Sequence, residues 1–382
     1  MDIESISKKE HVEKERLKEE AEDYYIEKSK ELRLKDLTRF KKYFPEPSEN
    51  MKKDIAFAHK DIDKIATAIV SKKPWAVVSG LNPSGPLHFG HKTIFDELLW
   101  LQKHGAEIFI PLTNDESYIV AKTKTLAESR KIAYESVMPS IIAMGFDPEK
   151  THIFVDSDYP DIYNVAMQLS KQLKISKIRS LFGFKDSDNV GSLFYRGAVQ
   201  VSQILLPQYI EFNGPIITLI PIGIDQHPYI LLARDIAKKN DMLPPAELIM
   251  KFLPGLLGAG GKMSASIKGS SIFLTDDIKE AKDKIKKAYT GGIMSSKYQK
   301  ELGGVPEVCS IFLLQKYHFL NQEEAEELNI KCRSGLVLCS ECKKCTNVFV
   351  ENYLKDHKEK FEKAKTEIPK FLLKKRITSI LE

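Results

Sequence analysis

The sequence predicts an α/β chain: a doubly wound parallel sheet followed by an α-helical C-terminal part. Two observations carry this. Between Lys73 and about Thr275, short apolar runs alternate with longer amphipathic ones, the pattern of strands joined by crossover helices. Beyond Thr275 the strand signals fade, and segments such as IKEAKDKIKKAY read as helices. In order, Trp75-Ala76-Val77-Val78 reads as a buried strand running into the turn Ser79-Gly80-Leu81-Asn82-Pro83-Ser84-Gly85. Phe89 to His104 reads as a helix with Phe95, Leu98, Leu99 and Leu101 inward and Gly105 as its stop. Strands follow at Ile108–Ile110, Ile153–Val155 and Ile216–Ile220, with a helix beginning near Tyr229. Thr275-Asp276-Asp277 looks like a cap for the first C-terminal helix.

With 382 residues the chain suits two or three domains. We divide it into an N-terminal helical extension (1–70), a sheet domain (71–275) with a helical insertion at about 117–200, and a helical C-terminal domain (276–382). Residues 1–45 are rich in Glu and Lys, with Tyr24, Tyr25, Ile26 and Leu32 at irregular spacing. They read as helical segments packed loosely on the main body and ended by Pro45-Glu46-Pro47-Ser48.

Hydrophobic content of 42% and charged content of 29% are those of an ordinary soluble protein. No run of apolar residues is long enough to span a membrane. The charged N-terminus has no apolar centre of the kind a secretory leader needs, so a cytoplasmic chain is expected. The net charge of +5 equals the excess carried by residues 343–382 alone. A basic C-terminal face suits a polyanion such as RNA, and equally a solvated lysine-rich helix.

In a doubly wound sheet, ligands bind at the carboxyl ends of the strands. Three polar turns directly follow predicted strands and should converge there: SGLNPSG, Thr113-Asn114-Asp115-Glu116, and Gly223-Ile224-Asp225-Gln226. Two further strings point to one chemistry. His88-Phe89-Gly90-His91 opens a helix just after SGLNPSG, and Lys262-Met263-Ser264-Ala265-Ser266 follows Gly258-Ala259-Gly260-Gly261. Glycine turns let backbone N–H groups approach a phosphate. When a carboxylate attacks the α-phosphate of ATP, negative charge builds on the phosphate oxygens. Imidazole N–H donors at a helix N-terminus can stabilise it. A mobile lysine and flanking hydroxyls suit the leaving pyrophosphate.

These strings resemble the two signature motifs of class I aminoacyl-tRNA synthetases. The resemblance implies a Rossmann-like catalytic domain and a C-terminal anticodon-binding domain. Gly223-Ile224-Asp225-Gln226-His227-Pro228-Tyr229 with Ala233-Arg234-Asp235 resembles the tryptophanyl subgroup. Phe57-Ala58-His59-Lys60-Asp61, Leu181 to Asp188 and Ser271 to Asp276 resemble its archaeal and eukaryotic branch, so that the likeness covers about residues 55–300. It implies a tryptophan–tRNA ligase acting on ATP, L-tryptophan and tRNA(Trp), as a homodimer. His88, His91, Lys262, Ser264 and Ser266 would be catalytic. Gly80, Asn82, Ser84, Gly90, Gly223, Asp225, Lys262 and Met263 would hold ATP, with Mg²⁺ carried by phosphates and water. Val78, Glu116, Gln200, Gln203 and Gln226 would surround tryptophan.

The alternatives are the sister tyrosyl enzymes and a non-catalytic tRNA-binding relative. Tyrosyl enzymes place a tyrosine where this chain has Val78 and an aspartate where it has Gln203. Eukaryotic tryptophanyl enzymes read the indole N–H with a tyrosine and a glutamine, at positions that here hold Val78 and Pro111. Bacterial ones use an aspartate at the position of Gln203. Gln203 or Gln200 is therefore the expected acceptor of the indole N–H.

All five cysteines lie between 309 and 345, and 332–345 reads as a cysteine-rich loop that interrupts the C-terminal helices. Four clustered thiolates can hold zinc or an iron–sulfur cluster, and spacing alone does not decide between them. The arrangement C-x22-C-x6-C-x2-C of Cys309, Cys332, Cys339 and Cys342 resembles that of the tryptophanyl enzymes that carry a 4Fe–4S cluster. Cys345 is left as a spare that could replace Cys339 or Cys342.

Overall fold

The computed structural model describes residues 2–37, 44, 46–258 and 261–380. One sheet of seven strands organises it, in the order β1-β2-β7-β6-β3-β4-β5. The chain runs through α1 (Ile3–Glu31), β1 (Lys35–Asp36), β2 (Ala56–Lys60), α2 (Ile62–Val70), β3 (Trp75–Val78), α3 (Phe89–Lys103), β4 (Glu107–Leu112) and α4 (Asn114–Ile119). It continues through β5 (Thr151–Val155), α5 (Asp161–Ser170), α6 (Gln200–Ile204), β6 (Ile217–Gly223), α7 (His227–Lys239) and β7 (Ala246–Met250). The helical end comprises α8 (Ile278–Lys287), α9 (Ser310–His318), α10 (Gln322–Arg333) and α11 (Cys339–Phe371).

The strands β7, β6, β3, β4 and β5 are mutually parallel, as expected for strands joined by helices. Their apolar runs are buried on both faces, so Val77, Ile108, Ile110 and Leu219 are inaccessible to water. After β3 the chain winds outward to β4 and β5, then returns to place β6 on the other side of β3. The crevice at the carboxyl end of β3 is thus the switch point where such sheets bind ligands.

Three expectations are corrected. The sheet is not wholly parallel, because β2 pairs antiparallel with β7 and β1 with β2, so part of the N-terminal extension completes the sheet. Residues 3–31 are one continuous helix rather than loose segments. Its anchors are polar, which is why its apolar residues show no period. The buried Lys14 ammonium donates to Glu10 at 2.8 Å and to the carbonyl of Gly292, and the Tyr25 hydroxyl accepts from the Phe252 N–H at 3.1 Å. Finally, 332–345 is not a loop. Cys332 closes α10 and Cys339, Cys342 and Cys345 lie in the first turns of α11, leaving only 334–338 between helices. Pro45, with Ala259 and Gly260 of the second glycine turn, lies outside the described residues.

Asp277 caps α8, its carboxylate accepting from the Lys279 N–H at 2.8 Å. Much of the basic character of α11 is locally paired, with Lys355–Glu351, Lys360–Asp356 and Lys363–Glu359 contacts of 2.7, 2.7 and 2.6 Å. These are the marks of a solvated face. No helix among the described residues is long and apolar enough to cross a membrane.

One buried acid on α3 makes stability depend on pH. Glu97 is fully buried; one carboxyl oxygen accepts from Ser48 at 2.8 Å and Asn50 at 3.0 Å, and the other has no partner among the described residues. Burial pushes its pKa up from 4.5 to about 7. Between those values the folded chain keeps a proton that the unfolded chain has lost, so stability falls as pH rises through that window. Glu97→Gln is expected to stabilise the fold at pH 8 by up to about 3 kcal/mol and to give no gain near pH 4. Thermal unfolding of both chains at the two pH values checks this.

Candidate active site

A cavity of about 680 Å³ opens at the carboxyl end of β3 and β6. That volume suits a small-molecule site, typically about 300–1,000 Å³. Every ATP, catalytic and amino-acid residue predicted from the sequence lines it. The first turn supplies Val78, Gly80, Asn82 and Ser84, and the helix start His88, Gly90 and His91. The third turn supplies Gly223, Asp225 and Gln226, and Lys262, Met263, Ser264 and Ser266 close the opposite wall. Glu116, Gln200 and Gln203 form the remaining side.

The two signature strings meet because their flanks are hydrogen-bonded to one another. The Phe89 N–H donates to Ile272 at 3.2 Å, and the Leu274 N–H to Leu87 at 2.8 Å. Gly90 lets the strings touch: a Cβ there would lie 3.0 Å from the His88 ring and 3.3 Å from the Met263 Cβ. The two imidazoles stack with centroids 3.8 Å apart. The His88 backbone N–H donates to His91 Nδ1 at 3.2 Å, which leaves the proton of a neutral His91 on Nε2. Burial pushes His88 down to about 2 and His91 down to about 4, reinforced at His88 by the His91 ring and Lys262 and at His91 by Lys122 and Lys262. Both rings are therefore neutral N–H donors at physiological pH, not cations.

The Lys262 ammonium sits 2.9 Å from Asp225 and 4.9 Å over the ring of Phe252. The hydroxyls of Ser264 and Ser266 are 2.9 Å apart. A Cβ on Gly223 would lie 2.3 Å from the Phe252 ring, so any other residue there would displace that ring. Asn82 donates to Glu116 at 3.2 Å and accepts from Ser117 at 2.6 Å, tying the first turn to the second. Glu116 also accepts from the Thr113 hydroxyl at 3.1 Å. Gln203 is buried and donates its amide N–H to Asp156 at 2.5 Å, so this glutamine has a fixed orientation.

Several lining residues carried no motif signal. Tyr195, Phe252 and Lys122 stand in none of the strings singled out from the sequence, whereas Tyr229 closes the 223–229 string without having been named as a site residue. Thr113 stood in a turn already suspected.

The four predicted cysteines also meet. Cys309 caps α9, Cys332 ends α10, Cys339 and Cys342 begin α11, and all four line one small cavity. Glycines make room for the sulfurs: a Cβ on Gly292 would lie 2.3 Å from Cys339 Sγ, and one on Gly304 would lie 2.9 Å from Cys332 Sγ. Burial first, and the neighbouring thiols next, push Cys332 and Cys342 up to about 12. A set of buried thiols that oppose one another's ionisation is what a bound cation reverses. Among the described residues no three His, Cys, Asp or Glu side chains form a group able to hold a metal ion. Cys345 is exposed and lies outside this cavity.

A family model described as tRNA synthetases class I (W and Y) matches residues 71–355. The chain belongs to that family of class I synthetases. A tryptophan–tRNA ligase of Methanocaldococcus jannaschii is 41% identical over 320 residues, covering 82% of this chain and 85% of that protein. One of Thermococcus sibiricus is 38% identical over 352 residues, covering 91% and 87%. The tryptophanyl-tRNA synthetase of Aeropyrum pernix K1 superposes with a TM-score of 0.85 at 31% identity, covering 91% of this chain and 96% of that one. That of Giardia lamblia gives 0.84 at 28% identity, covering 94% and 98%. Within the family, the chain is a member of the tryptophan–tRNA ligases, ATP-using enzymes that join an amino acid to tRNA.

Proposed function

We propose that the cavity between the two signature strings activates L-tryptophan as the adenylate and passes it to the 3′ end of tRNA(Trp), with the following division of labour. The N–H groups of His88 and His91 and the start of α3 stabilise charge developing on the α-phosphate. Lys262 leaves Asp225 to neutralise the departing pyrophosphate, helped by Ser264 and Ser266. Gly80, Asn82, Ser84, Gly90, Gly223, Asp225 and Met263 seat the nucleotide, and its phosphates carry Mg²⁺. Val78 walls the indole, Gln203 accepts its N–H with Gln200 beside it, and Glu116 and Gln226 face the ammonium group or ribose. No covalent nucleophile is needed, since positioning and electrostatics supply most of the rate.

The observation that carries this reading is the meeting of both strings around one cavity at the switch point of the sheet. Amino-acid-dependent ATP–pyrophosphate exchange tests it. Exchange is expected with tryptophan and not with tyrosine, and Gln203→Ala is expected to erode that selectivity. Unchanged selectivity would remove the role given to Gln203.

The four thiols of Cys309, Cys332, Cys339 and Cys342 are assigned to a 4Fe–4S cluster of structural role, with Zn²⁺ as the alternative. Their shared cavity and the glycines moulded to the sulfurs support a bound inorganic group. A lone zinc ion needs all four sulfurs within about 2.3 Å of one point. A 4Fe–4S cluster takes each thiolate on a separate iron. Counting iron and zinc by mass spectrometry decides. We further assign residues 71–275 to the catalytic domain and 276–382 to anticodon binding, in a homodimer.

A further inference from the structure

We propose that Asp156 sets the amino-acid specificity of this site by fixing which end of the Gln203 amide faces the bound substrate. The proposal rests on the reading of Gln203 as the acceptor of the indole N–H. A glutamine amide has two ends of similar size and opposite character, an NH₂ that donates and a carbonyl that accepts. Which end points where is decided by its partners. Gln203 lies on α6 at the wall of the cavity, and its NH₂ is taken by Asp156 Oδ2 at 2.5 Å. The carbonyl is then the end left for the substrate. An indole offers only a donor, so it can be read by that carbonyl and not by an NH₂.

Asp156 is shaped for this task and costly for any other. It is fully buried, immediately after β5, and takes no part in lining the cavity. The turn that holds it is fixed by the Ser157 N–H, which donates to Asn114 at 3.1 Å. Its second oxygen, Oδ1, has no partner among the described residues, while Asp115 lies within hydrogen-bonding reach. Asp115 is held in turn by the Tyr163 hydroxyl at 2.9 Å. Burial, then the charge of Asp115, pushes Asp156 well above the usual carboxylate range. Oδ2 is the acceptor of the Gln203 N–H, and that contact alone fixes the amide. A buried acid pair of this kind is expensive where an apolar residue would pack as well. Asp156 does not touch the substrate; it is a positioning residue that acts through Gln203.

The test compares L-tryptophan with L-3-benzothienylalanine, in which sulfur replaces the indole N–H, by kcat/KM in pyrophosphate exchange. The wild-type chain is expected to prefer tryptophan by ~10²-fold or more, since a site built around a hydrogen bond rejects the analogue that lacks it. In Asp156→Asn the new amide can present either a donor or an acceptor to Gln203. The preference is expected to fall below ~10-fold, mainly through the KM for tryptophan, with the KM for ATP unchanged. Gln203→Leu removes the acceptor itself and should lose the preference too. If Gln203→Leu loses it and a folded Asp156→Asn keeps it, the role of Asp156 is overturned while the reading of Gln203 stands. If both keep it, the reading of Gln203 fails. A readout without substitution is a crystal structure of the wild-type chain with tryptophan bound. The Gln203–Asp156 hydrogen bond is expected to persist with the indole nitrogen on the Gln203 carbonyl, and a broken bond overturns the proposal.

Discussion

A Lys262→Ala chain is expected to fold, to keep its KM for tryptophan, and to turn over in pyrophosphate exchange ~10²–10³ times more slowly. The side chain is about half exposed, so its removal leaves no buried void. What disappears is a positive charge held at the mouth of the cavity, beside the ring pair of His88 and His91. Both imidazoles are uncharged there, so no cation from that pair can take over. Lys262→Arg should recover only part of the rate, because a planar fork replaces a compact ammonium. Stopped-flow measurement of adenylate formation separates the chemical step from product release. A variant that loses affinity for tryptophan while keeping its rate constant would remove Lys262 from the pyrophosphate.

Gly80→Ala is expected to be the most damaging single methyl in the first turn. The new Cβ would lie 2.2 Å from the backbone oxygen of Pro111 and 2.6 Å from its ring. Neither can yield without parting β3 from β4, whose continuation past Leu81 depends on the Leu81 N–H reaching Pro111 at 3.2 Å. Overpacking typically costs ~1–3 kcal/mol, and a clash with backbone should reach or exceed the top of that range. Gly85→Ala is the internal control, since nothing lies within 4 Å of a Cβ there. Denaturant unfolding of the two variants should separate them by at least about 2 kcal/mol. Equal stabilities would mean that the turn can move as a unit.

That contrast marks what the sequence can and cannot disclose. Glycine in a turn after a strand is legible, and so is its use near phosphate. Which of two glycines in one heptapeptide is pressed against a neighbouring strand depends on residues some thirty positions away. The strands β3, β4, β5 and β6 were legible because their apolar runs are bounded by turns. The strand β7 was not, because Glu247 interrupts AELIM. That glutamate is fully buried and takes its partner from α7, His227 Nδ1 at 2.6 Å, so a charged residue sits within a central strand. The strand β2, AFAHK, is hidden for a similar reason by His59 and Lys60.

In the site, the residues on motif turns were legible because their chemistry is local. Tyr195 reaches the cavity from a helical segment and announces nothing by spacing, while Tyr229 was marked only as the end of the 223–229 string. Asp156 was equally silent, as an aspartate following a strand has many uses, and only its hydrogen bond to Gln203 singles it out.

The helix α9 has Cys309 at its start and His318 at its end. At the first end Ser310 donates to the carbonyl of Gly255 at 2.8 Å, at the root of the loop that carries Lys262. At the other, His318 packs on Phe89 at 5.1 Å and approaches Asp96, on the helix that carries both histidines. A single short rod therefore stands under both signature strings and has a cysteine of the four-thiol cavity as its foot. Damage at the thiols, by oxidation or substitution, would tilt that rod and register as a fault in handling ATP. A slow cysteine variant would thus be reporting a displaced support, and its deficit would be shared by any change that loosens α9 without touching sulfur.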